Sequence, residues 1–62
     1  MLKPDIDILS DAYESTITQM YTVFFNAMAS AQYDKEKADA EQAFRDGVQL
    51  ARVVLEKAKQ LL

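Results

Sequence analysis

The chain of 62 residues contains no cysteine, no histidine and no tryptophan. Without cysteine there can be no disulfide bond, and without cysteine and histidine the usual zinc ligand sets are excluded. The same absence removes the usual general base near neutral pH and the usual thiol nucleophile. We therefore expect neither an enzyme nor a metal site, and no cofactor or small-molecule substrate. A chain without cysteine fits a reducing cytoplasm, although secretion is compatible with it as well.

Basic charge is also scarce. Lys and Arg together number 7 and Asp and Glu together number 10, which gives a net charge of −3. A general nucleic-acid binder normally has the opposite balance, so a nucleic-acid partner is not expected. The acidic residues gather at the starts of two segments, where the positive end of a helix dipole favours them. They are Asp5, Asp7 and Asp11 in the first segment and Asp34, Glu36, Asp39 and Glu41 in the second.

No long apolar run is present. The most apolar window, residues 20–29, is interrupted by Thr22 and Asn26. It is about half as long as the ~20 residues that a helix needs to span a bilayer. The first residues turn acidic at Asp5 and Asp7, whereas a signal peptide begins with basic residues and an unbroken apolar stretch. Association with a membrane is therefore not expected.

Glycine and proline occur once each, as Gly47 and Pro4. No linker, repeat or low-complexity segment divides the chain, so residues 1–62 are predicted to form a single domain. The remaining composition, rich in Ala, Leu, Lys, Glu, Gln and Met, favours helix. Pro4 stands where the first turn of a helix tolerates proline.

Two stripes of apolar residues recur at the spacing of three and four that marks one face of a helix. The first stripe is Ile6, Leu9, Tyr13, Ile17, Met20, Phe24, Ala27 and Ala31. The second stripe is Ala40, Ala43, Phe44, Gly47, Leu50, Ala51, Val54, Ala58 and Leu61. The sequence therefore predicts helices over about residues 5–31 and 34–61, with Asp34 as the N-cap of the second.

On one continuous helix the two stripes would lie on nearly opposite sides, and both would be exposed. A turn around residues 32–34 removes this conflict and predicts an all-α fold, an antiparallel two-helix hairpin. The turn contains neither glycine nor proline, so a continuous helix through Tyr33 stays open as the alternative.

Facing residues of such a hairpin have numbers that sum to about 66 or 67. Packing inside the hairpin is therefore assigned to Met20, Phe24 and Gly47. A close contact between Met20 and Gly47 would offset the ~1 kcal/mol that a glycine costs inside a helix. At the open end, Ile6 is expected to face Leu61.

The apolar arcs are wider, at roughly 160°, than the ~100° that a two-helix seam uses. A lone hairpin would leave the flanking residues in water, and burying each large one contributes about 1.5–3 kcal/mol. The sequence therefore predicts a symmetric homodimer in which two hairpins form a four-helix bundle. The residues assigned to the interface between chains are Tyr21, Phe25, Met28, Val48 and Leu55.

A basic edge runs along the second helix at Arg45, Arg52 and Lys59. Pairs of Arg45 with Glu41, and of Arg52 and Lys59 with Glu56, are expected to neutralise most of it. The expected function is a non-enzymatic protein–protein interaction module: a small regulator, adaptor or chaperone-like protein whose partner the sequence does not identify. Two alternatives stay open. One is a nucleic-acid-binding regulator that uses the basic edge, and the other is a subunit of a heteromeric helical complex.

Overall fold

The structure, a computed structural model, describes residues 3–62 and consists of two helices in this range. Helix α1 spans Asp5–Ser30 and helix α2 spans Asp34–Gln60. The helices run antiparallel and pack side by side along their length, with extents of 49 × 22 × 7 Å between Cα atoms. The predicted all-α hairpin is therefore confirmed, and a continuous helix through Tyr33 is excluded.

Helix α1 begins directly after the proline of the chain. Pro4 has an extended backbone, with φ −55° and ψ 148°, and occupies the N-cap position. Its carbonyl oxygen accepts hydrogen bonds from the backbone N–H groups of Asp7 (3.0 Å) and Ile8 (3.2 Å). Asp5 and Asp7 lie in the first turn, where their carboxylates face the positive end of the helix dipole.

The turn between the helices needs no glycine. Ala31 leaves α1 in an extended conformation, with φ −68° and ψ 131°, so the helix ends at Ser30, one residue earlier than predicted. Tyr33 is extended as well, with φ −124° and ψ 153°. These are conformations that any L-residue adopts, and no described residue has a positive φ.

The N-cap of α2 lies one residue before the predicted position. Tyr33, not Asp34, occupies the N-cap position, and Asp34 is the first helical residue. The carboxylate of Glu36 supplies the capping interaction, because its Oε1 accepts the backbone N–H groups of Tyr33 (3.2 Å) and Gln32 (3.3 Å). Glu36 at this position is the acidic half of a capping box, in which a side chain reaches back to satisfy orphan backbone donors.

No residue within 3–62 is fully buried. The half-buried apolar residues follow the line where the two helices meet, so they form a seam rather than an enclosed core. On α1 and in the turn they are Leu9, Tyr13, Ile17, Met20, Phe24, Met28 and Ala31. On α2 they are Ala40, Phe44, Gly47, Val48, Ala51, Leu55 and Ala58.

The open end of the hairpin departs from the predicted pairing. Helix α2 ends at Gln60, one residue earlier than predicted, and Leu61 is 87% exposed. The expected cover of Leu61 by Ile6 is therefore wrong, since Ile6 is exposed too. Helix ends commonly loosen over a residue or two, and Leu61 lies beyond Ala58, the last residue of α2 that lines the groove with α1.

Candidate interaction surface

The side chain of Met20 on α1 packs against the backbone of α2 at Gly47. The terminal methyl group of Met20 lies in the space that a Cβ atom on Gly47 would occupy. One turn nearer the loop, the ring of Phe24 packs on the ring of Phe44, with 4.8 Å between centroids and 31° between planes. The structure thus places the three residues assigned to intra-hairpin packing, Met20, Phe24 and Gly47, on this seam.

One side of the hairpin carries two shallow apolar grooves that run into each other at Thr16 and Met20. The groove nearer the turn has a volume of about 300 Å³, and the groove nearer the open end about 510 Å³. We call this side the groove face. Its lining residues include Leu9, Ala12, Thr16, Met20, Val23, Ala27, Ala40, Ala43, Gly47, Leu50, Ala51, Val54 and Ala58, and none of its residues is charged.

Large apolar side chains stand out from the groove face into water. Val23 is 68% exposed, Leu50 is 64% exposed and Val54 is exposed as well. At 100° per residue, Val23 lies about 60° around α1 from Met20, and Leu50 lies about 60° around α2 from Gly47. Because the helices are antiparallel, these offsets in the same sense bring both residues to the same side of the hairpin.

The residues assigned to the chain–chain interface differ in exposure. Tyr21 and Phe25 are 58% and 59% exposed, and their ring centroids are 6.5 Å apart on the outer side of α1. Met28, Val48 and Leu55 are half-buried by their own chain. Leu55 lines the groove nearer the open end, so it already belongs to the hairpin seam.

The sequence pattern does not reveal the groove face as an exposed surface. Leu50 and Val54 share the second apolar stripe with residues that α1 covers, and Val23 lies outside the first stripe. These exposed residues could be identified from the sequence by asking on which side of the seam between the helices each apolar residue lies. Val23, Leu50 and Val54 share one side of the line from Met20 to Gly47.

The basic edge is less neutralised than predicted. The guanidinium of Arg45 donates to Gln42 Oε1 (3.1 Å), and Gln42 in turn donates to Asp46 (2.7 Å). The expected ion pairs of Arg45 with Glu41 and of Arg52 with Glu56 are absent from the described part of the chain. The predicted pair of Glu56 with Lys59 is confirmed, at 3.6 Å between Nζ and Oε1.

Arg45 and Arg52 line a shallow depression on the side opposite the groove face. Glu41 and Val48 line it too, so the depression contains a carboxylate beside the two guanidinium groups. Its surface is partly apolar, and the two aromatic rings that line it, Phe24 and Phe44, are half-buried and pack on each other.

Titratable chemistry on the described residues is sparse. Lys3 Nζ donates a 2.8 Å hydrogen bond to Asp11 Oδ2, and this bond together with the attraction of the carboxylate raises the pKa of Lys3 above its ordinary value. Within residues 3–62, no group of three or more acidic residues is arranged to hold a metal ion. No helix in that range is long and apolar enough to cross a membrane.

Comparison with protein-family models, with curated proteins and with solved structures finds no match to this chain. The surfaces described above are therefore the basis on which a function is argued.

Proposed function

We propose that this chain is a small, non-enzymatic protein–protein interaction module that acts in the cytoplasm as a homodimer, through its helical surfaces. The observation that carries the proposal is the absence of any fully buried residue within 3–62. Folding has to offset roughly 1–2 kcal/mol of backbone entropy for each ordered residue. A half-open seam between two helices offers little burial with which to do so.

The exposed area supports association. The hairpin exposes 5184 Å². A compact monomer of the same mass, 7.0 kDa, exposes about 4,000 Å². The excess of about 1,200 Å² is larger than the ~800 Å² that each partner contributes to a standard interface.

Formation of a homodimer would bring the exposed area of the protein into the range of compact proteins of its mass. A compact protein of twice the mass exposes about 6,700 Å² in total, so two hairpins would bury about 3,700 Å² on closing into a four-helix bundle. Obligate homodimers bury about 2,000–5,000 Å². The exposed area therefore supports one additional copy of this chain as the partner.

Light scattering after size-exclusion chromatography tests the proposal. The expected result is a helical species of about twice 7.0 kDa at micromolar concentration. A folded, cooperative species with the mass of one chain would overturn it.

Binding of a nucleic-acid backbone is a second candidate function. It is favoured by one observation, that Arg45 and Arg52 lie in one depression and form no ion pair within residues 3–62. With Lys59 they would contact phosphate groups, although Glu41 in the depression and the net charge of −3 oppose this. Retention on an RNA or DNA column that weakens with salt, and that is lost in an Arg45→Glu/Arg52→Glu variant, would establish this function.

A heteromeric helical complex is the remaining possibility, and it has a distinct outcome. A chain whose native partner is a different protein would be aggregated or molten by itself, with strong binding of a hydrophobic dye and no cooperative unfolding. A homodimer binds such a dye weakly and unfolds in one transition.

A further inference from the structure

We propose that the groove face is the surface on which the second copy packs, with the two hairpins head to tail so that the turn of one lies over the open end of the other. This inference rests on the proposed homodimer and deepens it by naming the face and the orientation. It departs from the interface expected from the sequence, because Tyr21 and Phe25 lie on the outer side of α1 and not in the groove.

Shape is the first argument. In a head-to-tail pair whose two-fold axis passes beside residue 18 of α1 and residues 48–49 of α2, about half a helical turn from the contact between Met20 and Gly47, facing positions have numbers that sum to about 36 on α1 and about 97 on α2. Leu50 then faces Gly47 of the second copy, and Val54 faces Ala43 of the second copy. Each large exposed residue of the groove face meets a small one, as interdigitated helix packing requires.

Large exposed residues also face small ones on α1. Val23, which is exposed, faces Ala12 of the second copy, and both residues line the groove face. The complementarity is therefore a property of the whole face and is repeated twice by the symmetry of the pair.

Charge at the rim is the second argument. At 100° per residue, Asp39, Asp46 and Lys57 lie on the same edge of α2 beside the groove face, with Asp39 and Lys57 near its opposite ends and Asp46 between them, more than one helical turn from its counterpart in the second copy. The numbers of Asp39 and Lys57 sum to 96, so the head-to-tail pair brings Lys57 next to Asp39 of the second copy, twice. Lys57 has no ion pair within residues 3–62, while Asp39 is paired only with the exposed Lys35.

The opposite orientation, with both turns at one end, gives a weaker match of charge. It sets α2 against α1 of the second copy, and Lys57 then faces residues 8–10, where the flanking Asp7 and Asp11 lie on the far side of α1 and Asp5 lies about one helical turn further on. Opposite charges placed across an interface fix register and disfavour alternative arrangements.

The two ends of the hairpin supply the third argument. Tyr33 at the turn and Leu61 at the open end are both exposed, and the 49 Å length of the hairpin separates them. Within one chain they cannot cover each other. A head-to-tail pair places Tyr33 within about one helical turn of Leu61 of the second copy at each end of the bundle.

Single-cysteine cross-linking tests the face and the orientation together, because the chain has no cysteine of its own. Gln19 lines the groove face close to the two-fold axis of the head-to-tail pair. Its two copies would place their Cα atoms at a separation of about 4.4–6.8 Å, which allows a disulfide. With both turns at one end, the two Gln19 residues lie on diagonal helices and cannot be joined.

The matched control is Thr18→Cys, one residue away on the polar side of α1. Thr18 lies near Phe25 on the helix, so the control links the chains if they pair through Tyr21 and Phe25 instead. Each variant is oxidised at micromolar concentration and analysed by intact mass. We expect Gln19→Cys to give a covalent dimer in at least about tenfold greater yield than Thr18→Cys.

The outcomes separate this inference from the proposed function. Light scattering on the reduced variants first reports whether a dimer forms. If the reduced chains are dimeric but Thr18→Cys links, or neither variant links, the groove-face arrangement is wrong while the homodimer stands. If the reduced chains are folded monomers, the proposed function itself fails.

Discussion

Met20 of α1 fills the space beside Gly47 of α2. A glycine inside a helix costs about 1 kcal/mol relative to alanine. Gly47→Ala would remove this cost, but the new methyl group displaces the end of the Met20 side chain and so opposes the gain in stability. The methionine end is flexible and moves at moderate cost. We therefore expect Gly47→Ala to stabilise the wild-type protein by less than about 0.5 kcal/mol.

The background variant Met20→Ala provides the control for this prediction. With the methionine end removed, Gly47→Ala should give nearly the whole helix-propensity gain, about 1 kcal/mol, in urea unfolding at a fixed protein concentration. The difference between the two backgrounds is the coupling energy of the pair. Equal gains in both backgrounds would show that the contact does not set the requirement for glycine.

The pair of Lys3 and Asp11 makes a prediction about pH. Because the pKa of Lys3 is raised in the folded protein, the pair stabilises fully below the ordinary lysine pKa and loses its contribution as pH rises through the raised value. It therefore adds no pH dependence near neutrality. In Asp11→Asn, an NMR titration of the Lys3 ammonium should give a lower pKa than in the wild type. Asp7→Asn, which removes a carboxylate without a hydrogen bond to Lys3, should leave the pKa nearly unchanged.

At the scale of the helices, periodicity and end signals predicted most of what is found. The stripe spacing predicted both helices, and each ends one residue earlier than expected, at Ser30 and Gln60. The conformation of the turn could not be predicted in the same way, because Ala31 and Tyr33 are not residue types that indicate the extended conformations they adopt. Asp34 has the composition of an N-cap, but the reach of Glu36 back to Tyr33 shifts the cap by one residue.

Glu36 should be worth more to the stability of α2 than any other acid of its first turns, since it alone caps the backbone. We expect Glu36→Ala to lower the free energy of unfolding by about 1 kcal/mol. Glu36→Gln should lose less, because an amide oxygen still accepts the N–H groups of Gln32 and Tyr33. Urea unfolding followed by circular dichroism at a fixed protein concentration measures both.

Glu41→Ala is the control for the capping prediction. Glu41 is exposed and accepts no hydrogen bond within the described residues, so its loss should change stability by less than about 0.5 kcal/mol. If Glu36→Ala were no more destabilising than Glu41→Ala, the turn would have to be held by the Phe24–Phe44 packing instead.

For the whole molecule, the sequence predicted that apolar arcs stay uncovered but not which face presents them. Residues such as Val48 and Leu55 lie in the same wide arc as Leu50, and only the rotation of each helix about its axis decides which of them the other helix covers. That rotation depends on the close approach of Met20 to Gly47 and on the ring packing of Phe24. These are pairwise packing details that periodicity does not encode.

Two matched charge substitutions should distinguish the exposed faces. Leu50→Glu introduces a carboxylate at the centre of the groove face, where pairing would bury it twice by symmetry. We expect the dissociation constant of the dimer to rise at least about a hundredfold. Phe25→Glu adds the same charge on the outer side of α1 and should leave the constant within about threefold of the wild type. Sedimentation equilibrium measures both, and the reverse order would assign the interface to Tyr21 and Phe25.

Dimerisation also makes thermal stability depend on concentration. Unfolding of a dimer releases two chains, so each tenfold dilution lowers the free energy of unfolding by about 1.4 kcal/mol. For a pair of hairpins this corresponds to a fall of about 3–6 °C in Tm per tenfold dilution. A covalently linked pair, such as oxidised Gln19→Cys, unfolds without releasing chains and should melt at the same temperature at every concentration. A wild-type Tm that stays constant over a hundredfold range would mean that one hairpin, with no buried residue in the range 3–62, is stable by itself.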